Sequence, residues 1–328
     1  MLATAKGSTK ALCRALKVLA EKGLLQDDFA TLCSGTSKSL EHKAAAECHA
    51  AAETNTPFGL VVQHLDLEAN GYRRWTYIHP LALLWFLSTL SEEFGLLFQS
   101  MIDNSADKTL DIVIYDDAFQ IGNPLRPDQG RNMLGIYWFF LDLPSHLLTR
   151  EDWWFPFGFI RSTSTHGIGI IPGGLSALRA HILKLFFGYR GQTFRSGAQI
   201  LVRGQLVMFM ARFRGNAGDE KGLKDVYDIK GAAGIKFCIS CMNAALRRYR
   251  TGSYWRPEGC PDIRQFVPHT NSSIYKLVDD LKSKHSTLSK TDFEELETNW
   301  GINYSPRGVL FRDDTRDILD PVDHYLKD

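Results

Sequence analysis

The sequence predicts a mixed α/β fold, and three observations predict it. Residues 110–117, 132–141 and 154–161 are rich in Ile, Phe, Tyr and Trp and are bounded by Pro, Gly or polar residues, the signature of successive strands. Pro172, Gly173 and Gly174 then lead into residues 174–187, where Leu175, Leu178, Ile182, Leu185 and Phe186 share one helical face before Gly188. A further strand follows at 205–213. Three strands joined by short connections imply an antiparallel meander, and the expected first and fourth strands are neighbours in one sheet.

The elements before and after this core are less regular. Residues 1–78 read as a helical N-terminal region, with Leu12, Leu16 and Leu19 on one face, Gly23 as a stop and a second short helix at 27–32. Such a helix pair fits DNA binding and also fits an ordinary bundle. Residues 34–56 are polar and Ala-rich, part of a segment expected to lack order. From Pro80 to Phe98 the apolar spacing of Trp85, Phe86, Phe94 and Phe98 predicts one core helix. Beyond Tyr249 the chain turns polar and loop-rich, with helices expected at 274–284 and 290–297. The expected domains are therefore 1–78, a partial core at 79–237, and a Cys-containing, loop-rich insertion at 238–328 that ends early.

Composition narrows the function classes. Hydrophobic residues at 44% and charged residues at 23% give a globular profile and exclude wholesale disorder. With 38 basic and 37 acidic residues the net charge is +1, so contact with a polyanion has to come from local patches. The longest apolar stretch, residues 80–90, is far short of the ~20 residues that span a membrane. Arg14 and Lys17 interrupt the apolar segment near the start, so no secretory signal is read there. Six scattered cysteines make no disulfide framework, and an intracellular location is expected.

Acidic residues mark the strand ends. Asp116 and Asp117 close the first strand and Asp219 lies just past the fourth. Where those strands are neighbours, carboxylates at their ends converge, and converging carboxylates hold Mg²⁺ through oxygen. Paired ions activate a water or 3′-hydroxyl and stabilise the leaving oxygen of a phosphodiester. Strand-end Asp is equally common as a cap or for solvation.

Tyr115-Asp116-Asp117-Ala118, then residues 122–128 and 132–141, resemble the first-strand signature of CACTA-type transposases of the DDE class, especially multicopy protist forms. Residues 218–220 with 228–238 and Cys241 resemble the same family's second-acid segment, and residues 301–311 with 321–328 resemble the approach to its Asp-x-x-His motif. The resemblance covers about 79–328. It implies an RNase H-like core, Mg²⁺-dependent DNA cleavage and strand transfer, a nuclear location, and Asp117 and Asp219 as the first two catalytic acids. Ala118 departs from the family's frequent acidic residue. The matching His and third acid are not among these residues, so this chain is expected to be inactive, with Glu220, Asp225 and Asp228 as conceivable substitutes. The alternatives are a non-catalytic, transposase-derived DNA-binding protein and an unrelated α/β interaction domain.

Other motifs carry two readings each. Cys238 and Cys241 have the spacing of half a zinc site that Cys260 and His269 would complete, or they are two reduced thiols. Arg247, Arg248, Arg250 and Arg256 among Tyr249, Tyr254 and Trp255 suit phosphate contact and base stacking, or form a solvated surface. The glycines at 167–174 lack a Gly-Lys-Ser/Thr ending and read as a loop before a helix. His79, His146 and His166 read as structural.

Overall fold

The computed structural model describes residues 50–67, 73–120, 132–150, 153–162, 167–230, 236, 238–243 and 263–327. In chain order the elements are β1 (Asn55–Thr56), β2 (Gly59–Leu60), β3 (Val62–Leu67), β4 (Arg73–Ile78), α1 (Pro80–Leu90), α2 (Glu92–Asn104), β5 (Thr109–Gln120), β6 (Asn132–Phe140), the single turn α3 (Ser145–Leu148), β7 (Phe155–Arg161), α4 (Gly174–Phe187), β8 (Ala198–Val202), β9 (Gln205–Gly218), α5 (Glu220–Val226), α6 (Asn271–Lys284), α7 (Lys290–Trp300) and β10 (Tyr325–Lys327). The protein is a mixed α/β fold around one mixed sheet.

That sheet runs β10-β9-β5-β6-β7-β4-β3, with β8 hairpinned onto β9. The β5-β6-β7 meander is antiparallel, as expected. β9 lies beside β5 and parallel to it, so the first and fourth strands of the expected series are neighbours. β10 adds a further parallel strand on the other side of β9.

Three expectations are corrected. Val62–Leu67 and Arg73–Ile78 are an antiparallel pair of strands, not helix, and β4 pairs with β7, so the pair extends the core sheet. Leu65-Asp66-Leu67 and Trp75-Thr76-Tyr77 alternate with the period of a strand. The helix expected over 80–98 is two helices, because Ser91 ends α1 in extended conformation and its hydroxyl accepts from Phe94 N to start α2. The loop-rich region after residue 238 contributes β10 to the same sheet, so the boundary drawn at 237 separates no unit. Residues 1–49, with Leu12, Leu16, Leu19 and the helix pair, lie outside the described residues.

One face of the sheet carries the core. Leu110, Ile112 and Ile114 of β5, Ile136, Trp138 and Phe140 of β6 and Phe157 of β7 are buried against α4 and α2. Trp138 and Phe157 meet Phe186 at ring-centroid distances of 5.5 and 5.3 Å, and Phe98 meets Phe140 at 5.2 Å. An outer layer made of α6, α7 and residues 301–320 closes over α4. Val309 N donates to Ser176 Oγ at 2.8 Å, and Lys184 pairs with Asp314 at 2.8 Å. Gly308 is required here, because a Cβ would fall on Asp228 Oδ2 and Ser176 Oγ.

Candidate active site

The parallel pair β5–β9 brings two sequence-distant acids to one part of the sheet. The register runs as far as Tyr115 beside Ala217. Asp117 follows two residues later inside β5, which continues to Gln120, and Asp219 is the first residue past the end of β9 at Gly218. Neighbouring strands lie ~4.8 Å apart, so the two acids fall in the same part of the sheet. Asp117 is exposed. Asp219 caps α5, its Oδ1 accepting from Gly222 N at 2.5 Å, which leaves Oδ2 outside the cap bond. Among the described residues, no group of three or more His, Cys, Asp or Glu side chains is arranged to hold a metal ion.

Strand alternation separates the two adjacent aspartates. Asp116 points to the helix-covered face and forms an ion pair with Arg179 of α4, the two residues being 8% and 0% exposed. Asp116 Oδ1, Arg179 Nε and Nη1 and the nearby Asn216 Oδ1 find no hydrogen-bond partner among the described residues, at a cost of about 1–3 kcal/mol for each buried group left unpaired. Burial pushes the Asp116 carboxyl up, and Arg179 opposes that shift. On β9, Asn216 Nδ2 donates to Tyr227 Oη at 2.9 Å, and Tyr227 Oη donates to the His324 carbonyl at 2.7 Å. The sequence reading missed Arg179 and Asn216. Its signal was present for Arg179, a charge set within the apolar stripe of Leu175, Leu178 and Ile182.

The nearby acids have other tasks. Glu220 pairs with Lys224 along α5 at 2.6 Å. Asp225 is pushed up by burial, with Lys221 opposing the shift and Asp219 adding to it. Asp228 is half-buried at a positive φ of 53°, accepts from Ser176 Oγ, and is pushed up to about 8 by desolvation of its carboxyl. It is therefore mostly neutral at pH 7. Its backbone carbonyl also accepts from Asn303 N at 2.7 Å, so it fastens residues 301–309 to α4.

The cysteine pair stands apart from the acids. Cys238 and Cys241 are half-buried, and burial, then the neighbouring Cys238, pushes the Cys241 thiol up. The bonds His269 N to Ser240 O, 2.8 Å, and Met242 N to Val267 O, 2.7 Å, draw the 265–269 segment alongside. His269, Cys238 and the buried Lys236 line a small cavity with Ile274, Leu277 and Trp300. His269 Nδ1 and Ser273 Oγ share a hydrogen bond at 2.7 Å, and Ser273 Oγ also accepts from Thr270 N at 3.0 Å. Burial, then Lys236, lowers this histidine to about 4, so it is neutral at pH 7.

Cys260, Arg247, Arg248, Arg250, Tyr254, Trp255, Arg256 and His166 lie outside the described residues. His79 is structural, its Nδ1 accepting from Ala82 N at the start of α1. His146 is exposed on α3. No helix among the described residues is long and apolar enough to cross a membrane. No known family model matches the chain, and no curated protein matches it.

Proposed function

We propose that the chain is a transposase-like protein of the CACTA type with an RNase H-like core, acting on DNA in the nucleus. Its ancestral reaction is Mg²⁺-dependent DNA cleavage and strand transfer. The observation that carries this reading is the parallel adjacency of β5 and β9, which bear Asp117 two residues past the Tyr115–Ala217 pair and Asp219 just past the end of β9. The chain order of the meander, α4 and then β9 supports it as well.

The donor set matches a hard cation, since Asp117 is exposed and Asp219 keeps one oxygen outside its cap bond. Bound Mg²⁺ would supply activation of the attacking oxygen and stabilisation of the leaving one. Asp117 and Asp219 would hold it. Glu220 is engaged with Lys224 and Asp228 is neutral and half-buried, so neither completes the ligand set. The chain as it stands binds DNA without cutting it.

Incubating the purified chain with Mn²⁺ or Mg²⁺ and labelled duplex tests this. The expected result is no nicking, DNA retention that falls steeply with salt, and weak Mn²⁺ binding that Asp117→Ala abolishes. Nicking that disappears in both Asp117→Ala and Asp219→Ala would show a complete site. Mn²⁺ binding indifferent to Asp117 would remove the basis of the assignment.

The thiol pair supports a second assignment, a structural zinc at Cys238 and Cys241 with His269 and Cys260. The two half-buried thiols and the neutral His269, whose segment is bonded alongside them, favour it. One equivalent of zinc should copurify and be lost in Cys238→Ser. Native, reduced protein without zinc would rule it out.

A further inference from the structure

The Asp116–Arg179 pair lies one residue from Asp117 and on the opposite face of β5. Both partners are buried, as are Leu175, Leu178 and Ile182 along α4 and Ile114 two residues before Asp116 on β5. Asn216 shares the same face of β9. It is level with Ile114 in the register and is bound through Tyr227 to the carbonyl of His324 just before β10. Arg179 also acts electrostatically on the Tyr227 hydroxyl. One buried polar cluster thus spans β5 and β9, directly beneath the two candidate acids.

Stability alone gives no reason to keep it. A buried ion pair is commonly no better than apolar side chains of the same volume, and this one leaves several polar atoms unpaired. What an ion pair in a low-dielectric interior does supply is direction. It fixes the Asp116 side chain to a rigid helix, and because neighbouring residues leave a strand on opposite faces, it sets the angle at which Asp117 emerges. Metal ligands need placement within about 0.5 Å, and partners behind the ligands commonly provide it.

We infer that Asp116 and Arg179 are positioning residues for Asp117, holding this part of β5 so that the carboxylates of Asp117 and Asp219 stay within reach of one divalent cation. This rests on the reading of Asp117 and Asp219 as a cation-binding pair.

The test compares the full chain, Asp117→Ala, and the double variant Asp116→Leu/Arg179→Met, by thermal unfolding and by the electron paramagnetic resonance signal of free Mn²⁺. The double variant is expected to melt close to the parent while its Asp117-dependent Mn²⁺ affinity falls by about tenfold or more, the usual loss when a group behind a ligand is removed. A folded double variant with parental Mn²⁺ affinity overturns the inference, because a merely structural pair would leave binding unchanged. Should the double variant not fold, Arg179→Lys is read the same way: it keeps the charge and loses the planar fork, so weakened binding supports positioning and unchanged binding refutes it. If the parent chain shows no Asp117-dependent Mn²⁺ binding, the cation pair itself is wrong and the positioning role falls with it.

Discussion

The two faces of the central sheet are made by alternate residues of the same strands, yet they have little else in common. On the helix-covered face Trp138, Phe140 and Phe157 are at most 1% exposed and lock into Phe186 and Phe98. On the other face Tyr115, Phe119, Tyr137 and Phe139 are only half-buried, and Phe159 is 43% exposed. Their ring contacts run across the strands or to Trp154, as in Phe139–Trp154 at 5.1 Å and Tyr137–Phe159 at 6.0 Å. Each face also holds an ion pair. Asp116–Arg179 is buried, whereas Asp111–Arg212, matched in register across β5 and β9, leaves the Arg212 side chain 68% exposed. The contrast teaches that stability is concentrated on one side, while the side bearing Asp117 is more open to solvent.

The comparison can be broken most sharply through the ion pairs. Arg179→Met strands a buried carboxylate and should destabilise the fold by about 3–5 kcal/mol. Arg212→Ala should cost no more than ~1 kcal/mol, because its pair is solvated and screened. Urea unfolding of both variants decides this, and equal losses would erase the distinction between the faces. The rings give a parallel test: Phe157→Ala should cost about 3–5 kcal/mol, and Phe159→Ala much less.

The pH dependence tests the outer layer over the covered face. Asp228 has a folded pKa raised to about 8 by burial, so the folded state holds a proton that the unfolded state releases above its ordinary carboxylate value near 4. Its contribution is complete below pH ~4 and is lost as pH rises to ~8, with a slope of at most ~1.4 kcal/mol per pH unit. Subtracting the profile of Asp228→Asn isolates this group, and an unchanged slope in that variant would refute the assignment. At the sheet edge the effects are smallest. Asp219→Ala should cost ~1 kcal/mol through the lost α5 cap, while Asp117→Ala should stay within ~0.5 kcal/mol; thermal melts distinguish them.

The meander and α4 were legible because each is written in local periodicity: apolar residues recur at strand or helix spacing, and Gly or Pro marks the ends. The adjacency of β5 and β9 was expected from the resemblance, since no local pattern encodes which distant strands pair. The strands β3 and β4 carry only short stretches of alternation, and their Ala-rich surroundings concealed them. β10 was not legible at all. Three residues carry too little pattern, and their strand state comes from pairing with Asn216, Ala217 and Gly218 of β9.

The candidate site divides along the same line. The sequence by itself determined that Asp219 stands just past a strand end, that Cys238 and Cys241 are spaced as a pair, and that the class is mixed α/β, since local spacing and residue chemistry suffice for each. Only the tertiary structure decided that β5 runs past Asp117 to Gln120 by pairing with β6, which of two adjacent aspartates meets solvent, that Arg179 is buried against the other, and that Asp228 loses its charge to desolvation. These depend on what lies across the sheet or in the next layer, and desolvation and hydrogen bonding act through space between residues far apart in the chain.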